Sequence, residues 1–324
     1  MYAIIDVGSN TVRLNIYKME YGRLSLVLSR KESVGLASYV KNGQMMPSGI
    51  LRVSSVLKEF KELLVDLAIW NVHVFATAAL RNAKNSEAAV DEVEQRSGLE
   101  VKVISGETEA ELDFIGVSHA VDVQDGLLVD IGGGSTELVP YKDGKILQAV
   151  SIPLGSLNVY NNFVSNILPT RAERKAIKQA VLDEIKRYPG LGKGKYPVIC
   201  GVGGTARAAN KMNIDLFQLD RGNSKIKVPN LKKMIKLLEN DEGATVPVET
   251  LDVLLRVVPD RVRTLLPGMS VLQTVAKHFK SEAIEVTNAG VRDGYLYKFV
   301  LPHAEKPEEP REGEADAPVE EDEL

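Results

Sequence analysis

The sequence predicts an α/β protein of two lobes built to one plan, with mixed sheets flanked by helices and a cleft between the lobes. Three observations carry that prediction. Residues 3–17 run from an apolar strand through Asp6 into the turn Gly8-Ser9-Asn10-Thr11 and out along a second strand. Residues 126–140 repeat the design 124 positions later, with Asp130 ending the strand and Gly132-Gly133-Gly134-Ser135 forming the turn. Each copy is followed by strands and then by helix and strand in alternation, as an α/β lobe requires.

In the first lobe, strand patterns cover 2–7, 12–19 and 23–32, the last two joined at Glu20-Tyr21-Gly22. A helix over 47–67 follows from Ile50, Val53, Val56, Leu57, Phe60, Leu63, Leu64 and Leu67, spaced for one helical face. A strand over 70–75, a loop over 76–85, a helix to about Arg96, a short strand over 100–104 and a helix over 106–119 complete the half. In the second lobe, strands are expected at 126–131, 135–141 and 144–150. Thr170 with Glu173 forms a capping box that opens a helix to about Tyr188. A buried strand over 196–201 runs into Gly201-Val-Gly-Gly-Thr205, where a helix begins. Further helices are expected at 230–239, 249–257 and 267–279, then a strand at 283–287 and a closing helix at 291–301. The lobes are therefore 1–120 and 121–303, and 304–324 is an acidic tail whose composition predicts disorder.

The 324-residue length suits two domains, and 44% hydrophobic content suits a soluble protein. The longest apolar runs fall far short of the roughly 20 residues that span a bilayer. The chain passes straight into a strand, so no signal peptide and a cytoplasmic location are expected. The one cysteine, Cys200, excludes an internal disulfide and reads as core, and the four histidines form no zinc-like pair. The net charge of −4 hides a strong division. The tail holds ten acids and two bases, whereas residues 171–236 hold sixteen Lys/Arg against five Asp/Glu. Such a basic stretch suits a polyanionic ligand, and Lys175, Lys178, Arg207 and Lys211 are candidates to hold it.

A carboxylate at a strand end beside a glycine turn is the chemistry of a divalent-metal phosphate site. The turns at 8–11 and 132–135 can each present peptide N–H groups to an anion, and Gly203-Gly204-Thr205 opens a helix whose N-terminus favours one. Arg81, on the small-residue loop 76–85, could bind phosphoryl oxygens from a strand end or could simply be a surface arginine. Glu107, Glu109 and Glu111 share a strand-to-helix junction, where one could orient water or all could merely complement the helix dipole. Composition does not choose among the three.

Asp-Val-Gly-Ser-Asn-Thr (6–11), Ala-Thr-Ala-Ala-Leu-Arg (76–81), Ile-Ser-Gly-x-x-Glu-Ala (104–110) and Asp-Ile-Gly-Gly-Gly-Ser-Thr-Glu (130–137) stand in a recognisable order. With Gly-x-Gly-Gly-Thr (201–205) and Gly290-Val-Arg-Asp-Gly294, the chain over about 1–303 resembles the exopolyphosphatase and guanosine pentaphosphate phosphohydrolase family. That family belongs to the actin-like, ribonuclease-H-like superfamily, so the resemblance implies two lobes of that type. It implies Glu109 as catalytic glutamate, Arg81 as phosphate-binding arginine, Asp130 and Glu137 as metal-associated acids with Asp6 beside them, and the glycine turns as phosphate loops. It further implies Mg²⁺ or another divalent cation such as Mn²⁺ as cofactor, polyphosphate or guanosine pentaphosphate as substrate, and a homodimer, and it argues against nucleic acid or a membrane as partner.

Thr108 replaces a glutamate common in the family, and Arg263 replaces an acid in the segment from Arg261 to Gly268. No role is assigned to that segment or to the closing one. The chain has no His-Asp dipeptide and resembles the two-domain form. The basic stretch favours polyphosphate over guanosine pentaphosphate. An actin-like small-molecule kinase would instead need an acceptor-activating Asp in the first lobe. A non-catalytic binder would not need Glu109, Arg81 and Asp130 together.

Overall fold

The computed structural model describes residues 1–20, 23–191, 194–239 and 245–303. The acidic tail at 304–324 and most of the expected turn at Glu20-Tyr21-Gly22 lie outside the described residues.

Strands β1 (Tyr2–Val7), β2 (Thr11–Glu20) and β3 (Arg23–Ser33) form an antiparallel meander. The ribbon β4 (Val40–Lys41) with β5 (Gln44–Met45) and helix α1 (Pro47–Asp66) then lead to β6 (Val72–Ala76), parallel to β1. Helices α2 (Ala78–Arg81) and α3 (Ser86–Ser97) and strand β7 (Lys102–Val103) complete a sheet of order β3-β2-β1-β6-β7. Helix α4 (Gly106–Ser118) carries the chain to the second sheet.

There β8 (Gly126–Ile131), β9 (Thr136–Lys142), β10 (Lys145–Ile146) and β11 (Val150–Ile152) repeat the meander. Helices α5 (Ser156–Phe163) and α6 (Arg171–Lys186) precede β12 (Val198–Val202), which lies parallel to β8 as β6 does to β1. Then come α7 (Gly203–Phe217), β13 (Lys225–Lys227), α8 (Val228–Leu237), α9 (Val248–Val257), α10 (Leu265–His278), β14 (Ala283–Val286) and α11 (Val291–Tyr295). The second sheet is ordered β10-β9-β8-β12-β14-β13, with β11 also on β9. No helix among the described residues is long and apolar enough to cross a membrane.

Several elements depart from expectation. Strands β4 and β5 are new, α2 lies inside the loop expected at 76–85, and the closing α-helix ends at Tyr295. Three further elements also differ. The strand expected at 144–150 is split into β10 and β11, because residues 147–149 bulge opposite Val139 and Pro140 of β9. Pro140 has no N–H to give the ladder, although its carbonyl still accepts from Leu147 N at 2.9 Å. Strand β13 has one buried residue, Ile226, between exposed lysines and is too short for a periodic signal. Helix α5 is eight residues long and comparably quiet in sequence.

Side-chain alternation then decides what faces what. On β1, Ala3, Ile5 and Val7 join the core made with α1 and α3, so Ile4 and Asp6 face the opposite way. Ile4 packs with Phe75, Tyr295 and Leu296 around α11. On β8, Leu127, Val129 and Ile131 face the large core that α6, α8 and α10 cover, which turns Leu128 and Asp130 toward α4. Asp130 pairs in register with Glu137 of β9, so both carboxylates reach the same face.

Helices α4 and α11 thus lie between the sheets. Helix α4 follows the first sheet in sequence but packs Ala110, Phe114 and Val117 on the second. Helix α11 follows the second sheet but packs on the first. The pair touch backbone to backbone: a Cβ on Gly294 would sit 1.8 Å from Leu112 O, and one on Gly116 would sit 2.3 Å from Gly290 O. Only glycine permits that approach.

Candidate active site between the two glycine turns

Both phosphate-type turns close by the same bond. Gly8 N donates to Thr11 O at 3.0 Å, and Gly132 N donates to Ser135 O at 3.0 Å. Both are also gripped from behind by their carbonyls. In the second turn, Gly132 O accepts from Ser156 N at 2.8 Å, and Gly133 O accepts from Leu157 N at 2.9 Å and Asn158 N at 3.0 Å. Asn158 Nδ2 donates to Gly134 O at 2.8 Å. In the first turn, Ser9 O accepts from Ala37 N at 2.9 Å, and Asn10 O from Val34 N at 3.0 Å and Gly35 N at 2.9 Å. A trans peptide points its N–H opposite its carbonyl, so the N–H groups following these carbonyls turn toward the cleft.

The turns face each other at contact distance. A Cβ on Gly133 would lie 3.1 Å from Asn10 Cβ, and one on Gly134 would lie 2.4 Å from Ser9 Oγ. Between and below them is a cavity of about 100 Å³. It is large enough to take a phosphoryl-sized anion.

The cavity is lined by Gly8, Ser9, Asn10, Thr11, Gly132, Gly133, Gly134, Ser135, Gly203 and Gly204, with Asp6, Glu109 and Asp130. Thr205 is buried just behind, its Oγ1 donating to Ile131 O at 2.8 Å, which fixes the start of α7 against the end of β8. Gly203 adopts φ +80°, and a Cβ there would fall 1.8 Å from Asp130 Oδ1, so glycine is required. Arg81 stands behind the wall: its Nη1 donates to Glu109 Oε2 at 2.7 Å and to Ile104 O at 3.2 Å. The helix also separates the three glutamates of its first turns. Glu109 turns inward, Glu107 is exposed, and Glu111 pairs with Lys298 at 2.7 Å.

Four arginines line the cavity: Arg13, Arg207, Arg261 and Arg292. Arg292 pairs with Asp6 at 2.8 Å, held by a turn in which Asp293 accepts from Gly290 N at 3.0 Å and from Tyr17 Oη at 2.8 Å. Arg13, Arg207 and Arg261 form no ion pair among the described residues. Burial, with Arg292 and Arg207 nearby, lowers the Arg13 guanidinium to about 10. Sequence reasoning named Arg207 alone of these as a candidate. Arg13 was detectable as a charge amid the apolar strand Val12-Arg13-Leu14, two residues beyond Thr11. Arg261 and Arg292 sat in segments without an assigned role.

The lysines go elsewhere. Lys211 is exposed one turn along α7 from Arg207, while Lys175 and Lys178 are exposed on α6 outside the cavity lining. Lys178 and Lys232 instead crowd Lys277, near the far end of α10. That is about 18 Å along the helix from Leu265 at its cavity end.

The acids lie behind a low-dielectric wall. Burial raises Glu109 to about 7, against the lowering effect of Arg81, and raises Asp130 to about 6. Asp6 is raised by burial, with Arg292 opposing. Glu137 lies deeper, held by Ser151 Oγ at 2.7 Å, and is pushed well above the carboxylate range by burial and by Glu109 and Asp130. Asp113, one turn beyond Glu109 on α4, is fully buried, and neither carboxylate oxygen has a hydrogen-bond partner among the described residues.

A divalent cation finds no ready-made cage, since no three of these acids group around one point among the described residues. Asp6 is committed to Arg292 and Glu137 to Ser151, whereas Asp130 Oδ1 is buried without a partner. Such a donor set would suit a Mg²⁺-type ion that relies on few protein ligands, with Asp130 the residue that would hold it.

The sequence pattern of the Ppx/GppA phosphatase family matches residues 15–303. A guanosine-5'-triphosphate,3'-diphosphate pyrophosphatase of Vibrio parahaemolyticus is 28% identical over 307 residues, which is 93% of this chain and 59% of that protein. The Vibrio campbellii protein of the same name is 27% identical over the same shares. The chain thus spans about three-fifths of the length of these curated relatives. Among solved structures, the Ppx/GppA family member of Aquifex aeolicus superposes with a TM-score of 0.74 at 28% identity, covering 94% of this chain and 99% of that one. An exopolyphosphatase of Cytophaga hutchinsonii gives a TM-score of 0.78 at 24% identity over 91% of this chain and 96% of its own, a likeness of fold. Two like-built actin-type lobes closing glycine turns over one anion-sized cavity, with this match across nearly the whole chain, make the protein a member of the Ppx/GppA phosphatase family.

Proposed function

We propose that this chain hydrolyses the terminal phosphoanhydride bond of a linear polyanion, inorganic polyphosphate, by in-line attack of water on the terminal phosphorus. The observation that carries the proposal is the cavity itself: three arginines without ion-pair partners among the described residues, two turns presenting N–H groups, and one part-buried glutamate at the wall. Glu109 orients the water and takes its proton, for which a carboxyl raised to about 7 is well matched at neutral pH. Arg81 fixes the Glu109 carboxylate through the 2.7 Å bond and keeps it ionised more than burial alone would. The turn N–H groups with Arg13, Arg207 and Arg261 receive the charge that spreads over the phosphoryl oxygens. A divalent cation held through Asp130 would supply further neutralisation of the phosphate oxygens.

The names of the Cytophaga and Vibrio relatives support phosphoanhydride substrates of both lengths. The basic stretch 171–236 favours the polymer. Guanosine pentaphosphate is the second reading, favoured by the Vibrio names. Phosphate release with Mg²⁺ from long polyphosphate, short polyphosphate and guanosine pentaphosphate, measured side by side, tests the proposal. Release from neither polymer nor nucleotide would overturn it. The homodimer implied by the resemblance belongs to the same proposal and is checked by light scattering.

A further inference from the structure

Behind the Arg81–Glu109 pair lies a second pocket of about 300 Å³, open to solvent and lined by Arg81, Asn82, Ser105, Glu107, Ser135 and Pro153 among others. Ser135 also lines the main cavity, so the two spaces are neighbours across Ser135 and the ion pair. Arg81 belongs to both sides. Its Nη1 holds Glu109, and its Nη2 reaches the chamber wall, 3.6 Å from where a Cβ on Gly106 would lie.

The geometry of hydrolysis gives this chamber a use. In the in-line step, the water oxygen forms a bond to the terminal phosphorus and the bridging P–O bond breaks. The bond's electron pair stays with the shortened chain, and the water proton goes to Glu109. Water and leaving chain occupy opposite sides of the phosphorus, so the new orthophosphate is left on the Glu109 side and the polymer on the other. An enzyme that keeps its polymer bound between cuts therefore blocks the entrance with its own substrate. The free phosphate must leave past Glu109 and Arg81.

We infer that the chamber behind Arg81 is the exit route for inorganic phosphate, gated by the Arg81–Glu109 pair, so that successive cuts proceed without release of the chain. The inference rests on the polyphosphate reading above. Glu107 is exposed at the chamber and has no part in the chemistry, so Glu107→Trp narrows the route while Glu107→Ala leaves it open.

The expected result is a steady-state kcat on long polyphosphate about tenfold lower for Glu107→Trp than for Glu107→Ala, as when product release becomes limiting. The single-turnover cleavage rate should be unchanged between the two. The product ladder should shift from full-length chain plus phosphate to many intermediate lengths. Equal kcat and equal ladders in the two variants would overturn the inference, as would an equal fall in the single-turnover rate. A native protein that frees its chain after every cut would also overturn it, because phosphate could then leave by the entrance. No cleavage of polyphosphate by the native protein would instead remove the polyphosphate reading beneath it.

Discussion

The two glycine turns share a strand, an aspartate two residues ahead of the first glycine, and the same N–H to carbonyl closure, yet their aspartates are employed differently. Asp6 spends its charge on Arg292, whereas Asp130 keeps Oδ1 free of any partner among the described residues. The second turn also has α4 packed beneath it, bringing Glu109, while the first has α11, bringing a cation. The repeated design supplies two anion cradles, and under the proposed mechanism the helices that cross between the lobes leave one a strut and the other the reactive side. If so, chemistry should respond to the second turn and stability to the first.

The largest effect should come from Glu109→Gln, which keeps the shape but removes the base. It should lower kcat about 10² to 10⁴-fold in a variant that still folds, with some fall in melting temperature because the 2.7 Å pair with Arg81 is weakened. A near-native kcat in the folded variant would mean that the α4 side holds no base. Next, Asp130→Asn and Asp6→Asn set the turns directly against each other. Asp130→Asn should lower kcat about 10² to 10³-fold, as loss of one aimed electrostatic group does. Its melting point should stay level or rise, since Oδ1 of Asp130 is buried without a partner among the described residues. Asp6→Asn should strand Arg292, and breaking a buried pair costs about 3–5 kcal/mol, here toward the low end because both groups keep slight exposure. Matching profiles for the two Asn variants in activity and thermal melts would break the comparison.

A smaller effect concerns pH. Glu109 must be ionised to act, so kcat/KM should rise with pH through about 7 and level off above it. Arg81 lowers the Glu109 carboxyl by charge and by hydrogen bond, so Arg81→Ala should move that limb to higher pH. Stability should run the other way. The folded value lies above the unfolded one, so the favourable contribution is complete at acid pH and is lost as pH rises through about 7. A limb unmoved by Arg81→Ala would assign it to another group.

The sequence carried the strand-turn-strand pairs, the Thr170 capping box and most helix limits, because those are local signals of spacing and capping. It also singled out the turns, Glu109, Arg81 and Asp130, since strand-end position and motif order are visible in one dimension. What it left open depends on crossings between the lobes. Arg292 is 286 residues from Asp6, and that pairing exists only because α11 returns to the first sheet. Composition did not choose Glu109 over Glu107 and Glu111; motif order did, and the packing of α4 on the second sheet supplies the physical reason. The basic stretch 171–236 was legible as charge but not as placement, for Arg207 enters the cavity while Lys178 lies among lysines near the distal end of α10.

The smallest predicted effect is also on the second side. Asp113 is fully buried with both oxygens unpartnered among the described residues, and burial together with Asp130, Glu137 and Glu109 pushes its carboxyl well above the ordinary range. Its folded value exceeds its unfolded one, so any stability from its protonated form is complete below about pH 4 and fades as pH rises. Asp113→Leu should therefore stabilise the protein by about 1–3 kcal/mol near neutrality, the usual penalty of an unsatisfied buried group. The melting point should rise by a few degrees, with the gain smaller at pH 5 than at pH 8. A destabilised Asp113→Leu at every pH would show that this carboxyl has a structural partner in solution. The second lobe would then hold its acids as tightly as the first holds Asp6, and the contrast between the turns would narrow to Asp130 alone.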